Sequence, residues 1–195
     1  VALCGAASAV VPAPVRPAIW AVAGVLFLRL WVLLREHGQS ETDALTGFLE
    51  TRVFTRHLAG VAQLAAPDRP AALIAVELDQ FTAWQAQNTA GAGDALIADV
   101  ATRLEASVVE GGAWARVGED RFVWVGGAAN SARAREMAEV VRAAAAENGA
   151  GIASRASFVM IPEDAANERD AVAAAEESLA AARTGRRRVV AFDHG

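Results

Sequence analysis

Apolar side chains recur along the chain with two spacings, and these spacings predict an alternating order of helices and strands. Helical spacing marks five segments, at residues 48–66, 81–87, 94–109, 131–148 and 167–183. Short apolar runs indicate buried strands at residues 71–78, 113–117, 122–125, 152–161 and 188–192. The tight charged turn between the second and third runs predicts a β-hairpin. Helices covering a central mixed sheet with one hairpin predict an α/β (α+β) sandwich.

An apolar N-terminal segment, residues 1–34, precedes this pattern and contains only two charged side chains, Arg16 and Arg29. A helix over residues 18–34 would be roughly 25 Å long, near the shorter limit for crossing a bilayer. We therefore expect this apolar N-terminal helix to span a membrane and contact lipid, or to be the remnant of a transmembrane region. The alternative is an apolar helix that packs on the domain or on a partner chain.

The charges that flank this helix predict its orientation. Arg29 and Arg35 lie at its C-terminal end, and basic residues favour the cytoplasmic side of a membrane. A polar linker at residues 35–42 and a domain at residues 43–195 would then follow on that side. The expected location is the inner (cytoplasmic) membrane, with the domain in the cytoplasm.

Composition excludes several classes of function. The 195-residue chain carries a formal net charge of −5, which disfavours nonspecific nucleic-acid binding, and we expect no nucleic-acid partner. The single cysteine, Cys4, excludes a disulfide framework and a cysteine-based zinc site. These features leave small-molecule and protein partners as the expected ones.

Three polar clusters carry candidate chemistry. Glu77 and Asp79 lie at the C-terminal end of the first strand, and alternation places both side chains on the same face. Carboxylate oxygens are ligands that Mg²⁺ prefers. The turn at residues 118–121 brings further acids to the hairpin, and residues 88–94 open a helix whose amides favour anions. Each cluster also has a structural interpretation: solvated acids, a polar hairpin tip, or Asp94 as a helix cap.

Together these segments resemble the diguanylate cyclase, or GGDEF, domain over residues 43–193. Five motifs carry the resemblance: DALTGF from Asp43, ELDQF from Glu77, GDAL from Gly93, RVGEDRF from Arg116 and AEESLAAARTGRRRV from Ala175. They match the family's D-x-L-T-G-L, D-x-D-x-F, G-D-x-x-L, R-Y-G-G-D-E-F and closing A-D-x-A-L-Y motifs in order. The resemblance implies a fold like the nucleotide cyclase palm.

The resemblance also implies a function and a set of site residues. The family joins two GTP molecules into cyclic di-GMP across a homodimer, with two metal ions in each site. Carried onto this chain, the Mg²⁺ ligands are Glu77, the Leu78 carbonyl and Asp120, of which Asp120 is also the vestigial catalytic residue. Gln85 and Asp94 would contact the guanine, and a pair of arginines would meet the terminal phosphates, namely Arg183 and Arg186.

The chain departs from the family pattern at the signature turn. This turn consists of Gly118, Glu119, Asp120, Arg121 and Phe122 in place of G-G-D-E-F. Glu119 adds a side chain and a negative charge where the family's second glycine lets the nucleotide approach. Arg121 reverses the charge of the family's glutamate, and we expect it to pair with Asp120 or Glu119 and thereby remove a metal ligand.

Three hypotheses follow from these departures. The favoured one is a degenerate, catalytically silent GGDEF domain that acts in membrane-associated signalling through nucleotide binding, dimerisation or contact with a partner protein. The second is an active or weakly active cyclase with an unusual signature, and the third is a structural module with a vestigial site. Under the first hypothesis the expected partners are a second copy of the chain or a signalling protein, with GTP and Mg²⁺ as candidate ligands.

Overall fold

The computed structural model describes residues 41–107, 111–185 and 188–192. In chain order its elements are β1 (Leu49–Glu50), α1 (Thr51–Leu64), β2 (Ala71–Leu78), α2 (Phe81–Ala86), α3 (Ala92–Ser107), β3 (Gly112–Arg116), β4 (Arg121–Gly127), α4 (Ser131–Ala146), β5 (Ser154–Ile161), α5 (Glu168–Thr184) and β6 (Val189–Ala191). The predicted succession of helices and strands is confirmed, and β1 is an additional short strand.

The six strands form one mixed sheet in the order β1-β3-β4-β2-β5-β6. Strands β3 and β4 form the predicted antiparallel hairpin, and β2 lies antiparallel between β4 and β5. The two outer strands, β1 and β6, pair in parallel with their neighbours. Every residue of β2 is buried, so this strand is the centre of the sheet and its C-terminal end lies among other strands.

Helices cover both faces of the sheet, and the alternation of β2 side chains assigns each residue to one face. Ile74, Val76 and Leu78 pack in the layer that contains α2, α3 and α4. Leu73 and Ala75 pack in the layer that contains α1 and α5. By the same alternation Glu77 belongs to the α1 and α5 face, which brings its carboxylate toward the C-terminal end of α5.

The segment before α1 is not helical, although apolar spacing predicted a helix from Phe48. The carboxylate Oδ1 of Asp43 accepts hydrogen bonds from the Thr46 amide (2.9 Å) and hydroxyl (2.7 Å), and Gly47 follows at a φ of 73°. This turn directs Phe48 into the core, where its ring stacks on Trp114 at a centroid distance of 5.6 Å. Tertiary packing therefore outweighs the local helical spacing here.

No helix within the described ranges is both long enough and apolar enough to cross a bilayer. The membrane-spanning segment predicted at residues 18–34 lies outside the described residues, as does most of the predicted linker at residues 35–42. The prediction of a separate domain from residue 43 onward stays a prediction.

Candidate functional site

A row of three charged residues crosses the centre of the sheet at the C-terminal end of β2. Glu77 of β2 lies directly opposite Arg121 of β4 on one side and Arg155 of β5 on the other. Residues that pair directly across strands project to the same face, so both arginines flank the glutamate. Cross-strand register therefore places a carboxylate between two guanidinium groups.

Helix α5 adds a third guanidinium to this row from above the sheet. The Arg183 Nε donates to Oε1 of Glu77 at 2.9 Å, and its Nη2 donates to Oε2. Arg121 donates to the same Oε2 from Nη2 at 3.0 Å and from Nε at 3.3 Å. Both oxygens of Glu77 thus accept from arginines, and the glutamate side chain is only 9% exposed.

These contacts set the ionisation of Glu77. Burial alone raises the pKa of this carboxyl group, but hydrogen bonds and positive charge from Arg183 and Arg121 outweigh burial. The pKa of Glu77 therefore lies below its ordinary value of 4.5, and the group is a carboxylate at neutral pH. The same pairing raises the pKa of Arg183 through its hydrogen bonds to Glu77.

The other two acids of the cluster have different surroundings. Asp79 accepts a hydrogen bond from Nε of Arg155, so its carboxylate is also paired. Among the described residues no arginine forms an ion pair with Asp120. Burial raises the pKa of Asp120, and the nearby negative charge of Glu77 raises it further. The folded protein therefore disfavours the charged form of Asp120.

The residues present do not fit the Mg²⁺ that the resemblance implies. Three carboxylates, of Glu77, Asp79 and Asp120, are balanced by three guanidinium groups, and Glu77 has both oxygens engaged. A divalent ion at this place would have to displace arginines and would meet their repulsion. Within the described ranges, no three His, Cys, Asp or Glu side chains converge as metal ligands.

The signature turn is held by its ends and exposed at its tip. The Val117 amide donates to the Arg121 carbonyl at 3.0 Å, and Nη2 of Arg116 donates to the Glu119 carbonyl at 2.9 Å. Gly118 and Glu119 are exposed, whereas Phe122 is fully buried in the core. The turn is therefore anchored to the fold, and its altered second position faces solvent.

Arg121 does not contact the acids that sequence reasoning assigned to it. We expected a pair with Asp120 or Glu119, but the described partners of Arg121 are Glu77 at 3.0 Å and Glu176 of α5 at 3.7 Å. Neighbours in a turn are close along the chain, but the strand register decides which side chains share a face. The arginine therefore pairs with a different acid from the expected ones, and that acid, Glu77, is one of the predicted metal ligands.

The predicted guanine-contacting residues lie near each other, one in α2 and one at the start of α3. Gln85 is exposed near the end of α2, and Asp94 is exposed in the first turn of α3. The Gln85 side chain lies over Gly93, because a Cβ at that glycine would be 2.5 Å from Nε2 of Gln85. The structure thus brings residues 85 and 94 to one surface, and their role toward a base stays a prediction.

The remaining predicted residues have mixed outcomes. The amide of Leu78 donates to the Asp120 carbonyl at 3.1 Å, which ties the end of β2 to the signature turn. Arg183 contacts Glu77 in the described structure, whereas the resemblance placed it on terminal phosphates. Arg186 lies outside the described residues. Sequence reasoning missed Arg155 and Glu176, because only the register and helix packing bring them to the cluster.

Comparison with protein families gives a match over most of the chain. A family model described as diguanylate cyclase, GGDEF domain, matches residues 40–188. A curated relative from Caulobacter vibrioides, an uncharacterized signaling protein, is 30% identical over 162 residues. The match covers 78% of this chain and 20% of the relative, so this chain spans about a fifth of the relative's length.

Solved structures share the fold. The GGDEF domain of DgcB from Caulobacter crescentus, solved in complex with c-di-GMP, matches with a TM-score of 0.68 at 20% identity, covering 79% of this chain and 96% of that one. A sensory box/GGDEF family protein from Caulobacter crescentus matches with a TM-score of 0.68 at 28% identity, covering 74% and 99%. The six-stranded sheet and its helices are thus arranged as in these domains.

Proposed function

The chain belongs to the diguanylate cyclase GGDEF domain family, and we propose that its domain is a degenerate, catalytically silent member. It acts in cyclic di-GMP signalling through nucleotide binding, dimerisation or contact with a partner protein. The observation that supports this most is the pair of arginines, Arg121 and Arg183, on the carboxylate of Glu77. In an active member the corresponding acid would hold metal, and here it holds guanidinium groups instead.

The arginine contacts at Glu77 and the side chain of Glu119 should together lower the rate of the reaction strongly. Removing one preorganised group that stabilises transition-state charge commonly lowers the rate by about 10²–10³. Arg121 and Arg183 occupy Glu77, and Glu119 adds a negative side chain at the turn where a triphosphate would approach. The combined losses leave little turnover, even though they need not add.

The residues predicted to contact the guanine base support a binding role for the domain rather than a purely structural one. Gln85 and Asp94 stay exposed on one surface, and the arginine cluster does not include them. A guanine could therefore still be contacted while the triphosphate end lacks its metal. A nucleotide bound in this way would act by changing the conformation of the domain, without being converted to product.

The experiment compares GTP binding and turnover in the full chain and in a reversion variant. We expect the unmutated protein to make no measurable cyclic di-GMP and to show no Mg²⁺-dependent increase in GTP affinity by calorimetry. The double variant Glu119→Gly with Arg121→Glu removes the turn side chain and both hydrogen bonds from Arg121 to Oε2 of Glu77. We expect it to gain Mg²⁺-dependent GTP binding with slight or no turnover, because Arg183 still contacts Glu77.

Two controls make the result specific to the signature turn. Arg56→Glu makes the same charge reversal as Arg121→Glu, but on the exposed face of α1, and is expected to gain no Mg²⁺ dependence. Arg121→Gln removes the cation without adding an acid and should give a smaller gain than the double variant.

Robust cyclic di-GMP synthesis by the unmutated protein would overturn the proposal in favour of an active cyclase. A double variant without GTP affinity at millimolar nucleotide would favour a structural module.

The membrane placement of the domain is also a proposal, and the apolar sequence at residues 18–34 supports it. If this segment spans the inner membrane, the full chain stays in the membrane fraction after high-salt and carbonate washes. Release by either wash would instead indicate a helix that packs on protein. The wash experiment is independent of the nucleotide experiments, so either proposal can fail alone.

A further inference from the structure

A cavity of about 180 Å³ lies between α1, α5 and the sheet, on the face that also carries Glu77. Its walls are mainly apolar and come from all three elements, with Phe54 from α1, Leu73 and Val123 from the strands, and Leu179 from α5. The cavity opens toward solvent, because Val172 and Glu176 also line it and their exposed fractions are 39% and 65%. A concave, mostly apolar pocket with a few polar groups is the usual form of a small-molecule site.

Two small side chains leave this volume open. Ala75 of β2 and Ala175 of α5 both line the cavity, and both are almost fully buried. An apolar cavity of roughly 150 Å³ is large enough to take up benzene. The cavity between α1 and α5 is therefore large enough for one six-membered ring.

Thr51 and Thr55 of α1 also line the cavity, and the two charged lining residues, Arg121 and Glu176, lie side by side at one end of it. Nη1 of Arg121 lies 3.7 Å from Oε1 of Glu176, longer than an ordinary hydrogen bond, and Glu176 is 65% exposed. The charges of the two residues offset each other, so this end favours a neutral hydrogen-bonding group over a charged one. Arg121 also donates to Glu77, which connects the cavity to the signature turn.

We propose that this cavity is a ligand site for a small uncharged molecule with one apolar ring and one hydroxyl-sized polar group. The ring lies among the apolar walls, and the polar group lies between Arg121 and Glu176. A ligand that draws Arg121 toward Glu176 alters its hydrogen bonds to Glu77. Occupancy of the cavity is thereby coupled to the charged row at the end of β2.

The test uses 4-fluorophenol as the probe and the purified full chain. We expect a saturable change in the ¹⁹F signal of the probe and a rise in the melting temperature at saturation, because the ligand binds the folded state. We also expect the Nε–Hε signal of Arg121 to shift with the same concentration dependence. Fluorobenzene, which lacks the hydroxyl, should bind more weakly.

Variants of the cavity wall make the test specific. Ala175→Leu fills the space from the helix side and should weaken binding by at least about tenfold, because interiors are close-packed. Ala75→Val, which fills it from the strand side, should weaken binding independently if the helix variant disturbs α5. Ala180→Leu places the same side chain on the exposed face of α5 and should leave affinity unchanged.

Three outcomes would overturn the proposal. The first is absence of saturable binding to the unmutated protein up to the solubility limit of the probe. The second is equal binding to the Ala175→Leu and Ala180→Leu variants, which would place the probe elsewhere on the surface. The third is binding that leaves the Arg121 signal unmoved, which would remove the coupling to the signature turn.

Discussion

The two ends of the candidate nucleotide site differ in how firmly their side chains are held. At one end, Glu77 accepts hydrogen bonds from Arg121 and Arg183 with both oxygens. At the other end, Gln85 and Asp94 are exposed, and Gln85 rests over the backbone of Gly93. The end at which the family performs its chemistry is closed by charge pairs, while the end at which the family contacts the base stays accessible.

If the domain is catalytically silent, as we propose, this difference means that the catalytic role has been lost while the fold around the site is kept. The two arginines replace the positive charge that a metal would bring, so the buried acid keeps a favourable environment. Without these arginines, the burial of Glu77 would favour the neutral acid. Arg121 therefore has a structural benefit, in addition to the catalytic cost that we propose.

The largest change in stability is expected from removing the carboxylate of Glu77, which pairs with the arginines at the closed end. Glu77→Gln leaves the guanidinium groups of Arg121 and Arg183 without their carboxylate. We expect a loss of about 2 kcal/mol in the free energy of unfolding. A fully buried pair would lose roughly 3–5 kcal/mol, but the Arg183 side chain is 47% exposed and water offsets part of the loss.

Urea unfolding at neutral pH measures this change, with Asp94→Asn as the matched control at the open end. Asp94 is exposed in the first turn of α3, where its interaction with the helix dipole contributes about 0.5 kcal/mol. Equal losses for the two variants would contradict the difference between the ends.

The stability difference between the unmutated protein and Glu77→Gln should also depend on pH. The pKa of Glu77 is lowered in the folded protein, so its contribution is fully present above the ordinary value of 4.5. That contribution is lost as the pH falls through the folded pKa. We expect the difference in unfolding free energy to be constant from pH 7 to 6 and to shrink steadily below pH 4.5. A constant difference down to acid pH would show that Glu77 is not held as a carboxylate.

A smaller effect of opposite sign is expected at Asp120. Burial and the charge of Glu77 raise the pKa of Asp120, so ionisation at neutral pH destabilises the folded state. Asp120→Asn should therefore stabilise the protein by about 0.5 kcal/mol at pH 7. The gain should disappear as the pH falls below the ordinary value of 3.8, where the aspartate is protonated in both states. Destabilisation at pH 7 would indicate a favourable partner for this carboxylate, and Glu119→Gln serves as the exposed control.

Sequence reasoning predicted the fold well because the apolar pattern records which face of each element is buried. The run at 71–78 has the composition of a central strand, and the structure buries every residue of β2. The helix predicted from Phe48 was wrong at its start, because the ring of that residue is recruited by Trp114. Apolar spacing alone does not distinguish a residue of a helix from one that packs beside it.

The closed end of the site was predicted less well, because its contacts depend on register. Glu77 and Arg121 are distant in sequence, and only the antiparallel pairing of β2 with β4 makes them direct neighbours. A one-residue change of register would direct one of them to the opposite face. The sequence therefore indicated which residues are unusual, and the strand pairing determined which residues they contact.

The smallest change in stability from a single substitution is expected at the open end, at Gly93. There the exposed side chain of Gln85 rests over the glycine. A Cβ on Gly93 would lie 2.5 Å from Nε2 of Gln85, so the glutamine has to move, which its exposed side chain can do. Alanine is up to about 1 kcal/mol better than glycine within a helix, so Gly93→Ala alone should be nearly neutral. In a Gln85→Ala background the same substitution should stabilise by about 0.5 kcal/mol, because the steric cost is gone. A double-mutant cycle by urea unfolding measures this coupling. The same effect in both backgrounds would mean that Gln85 does not rest over Gly93 in solution.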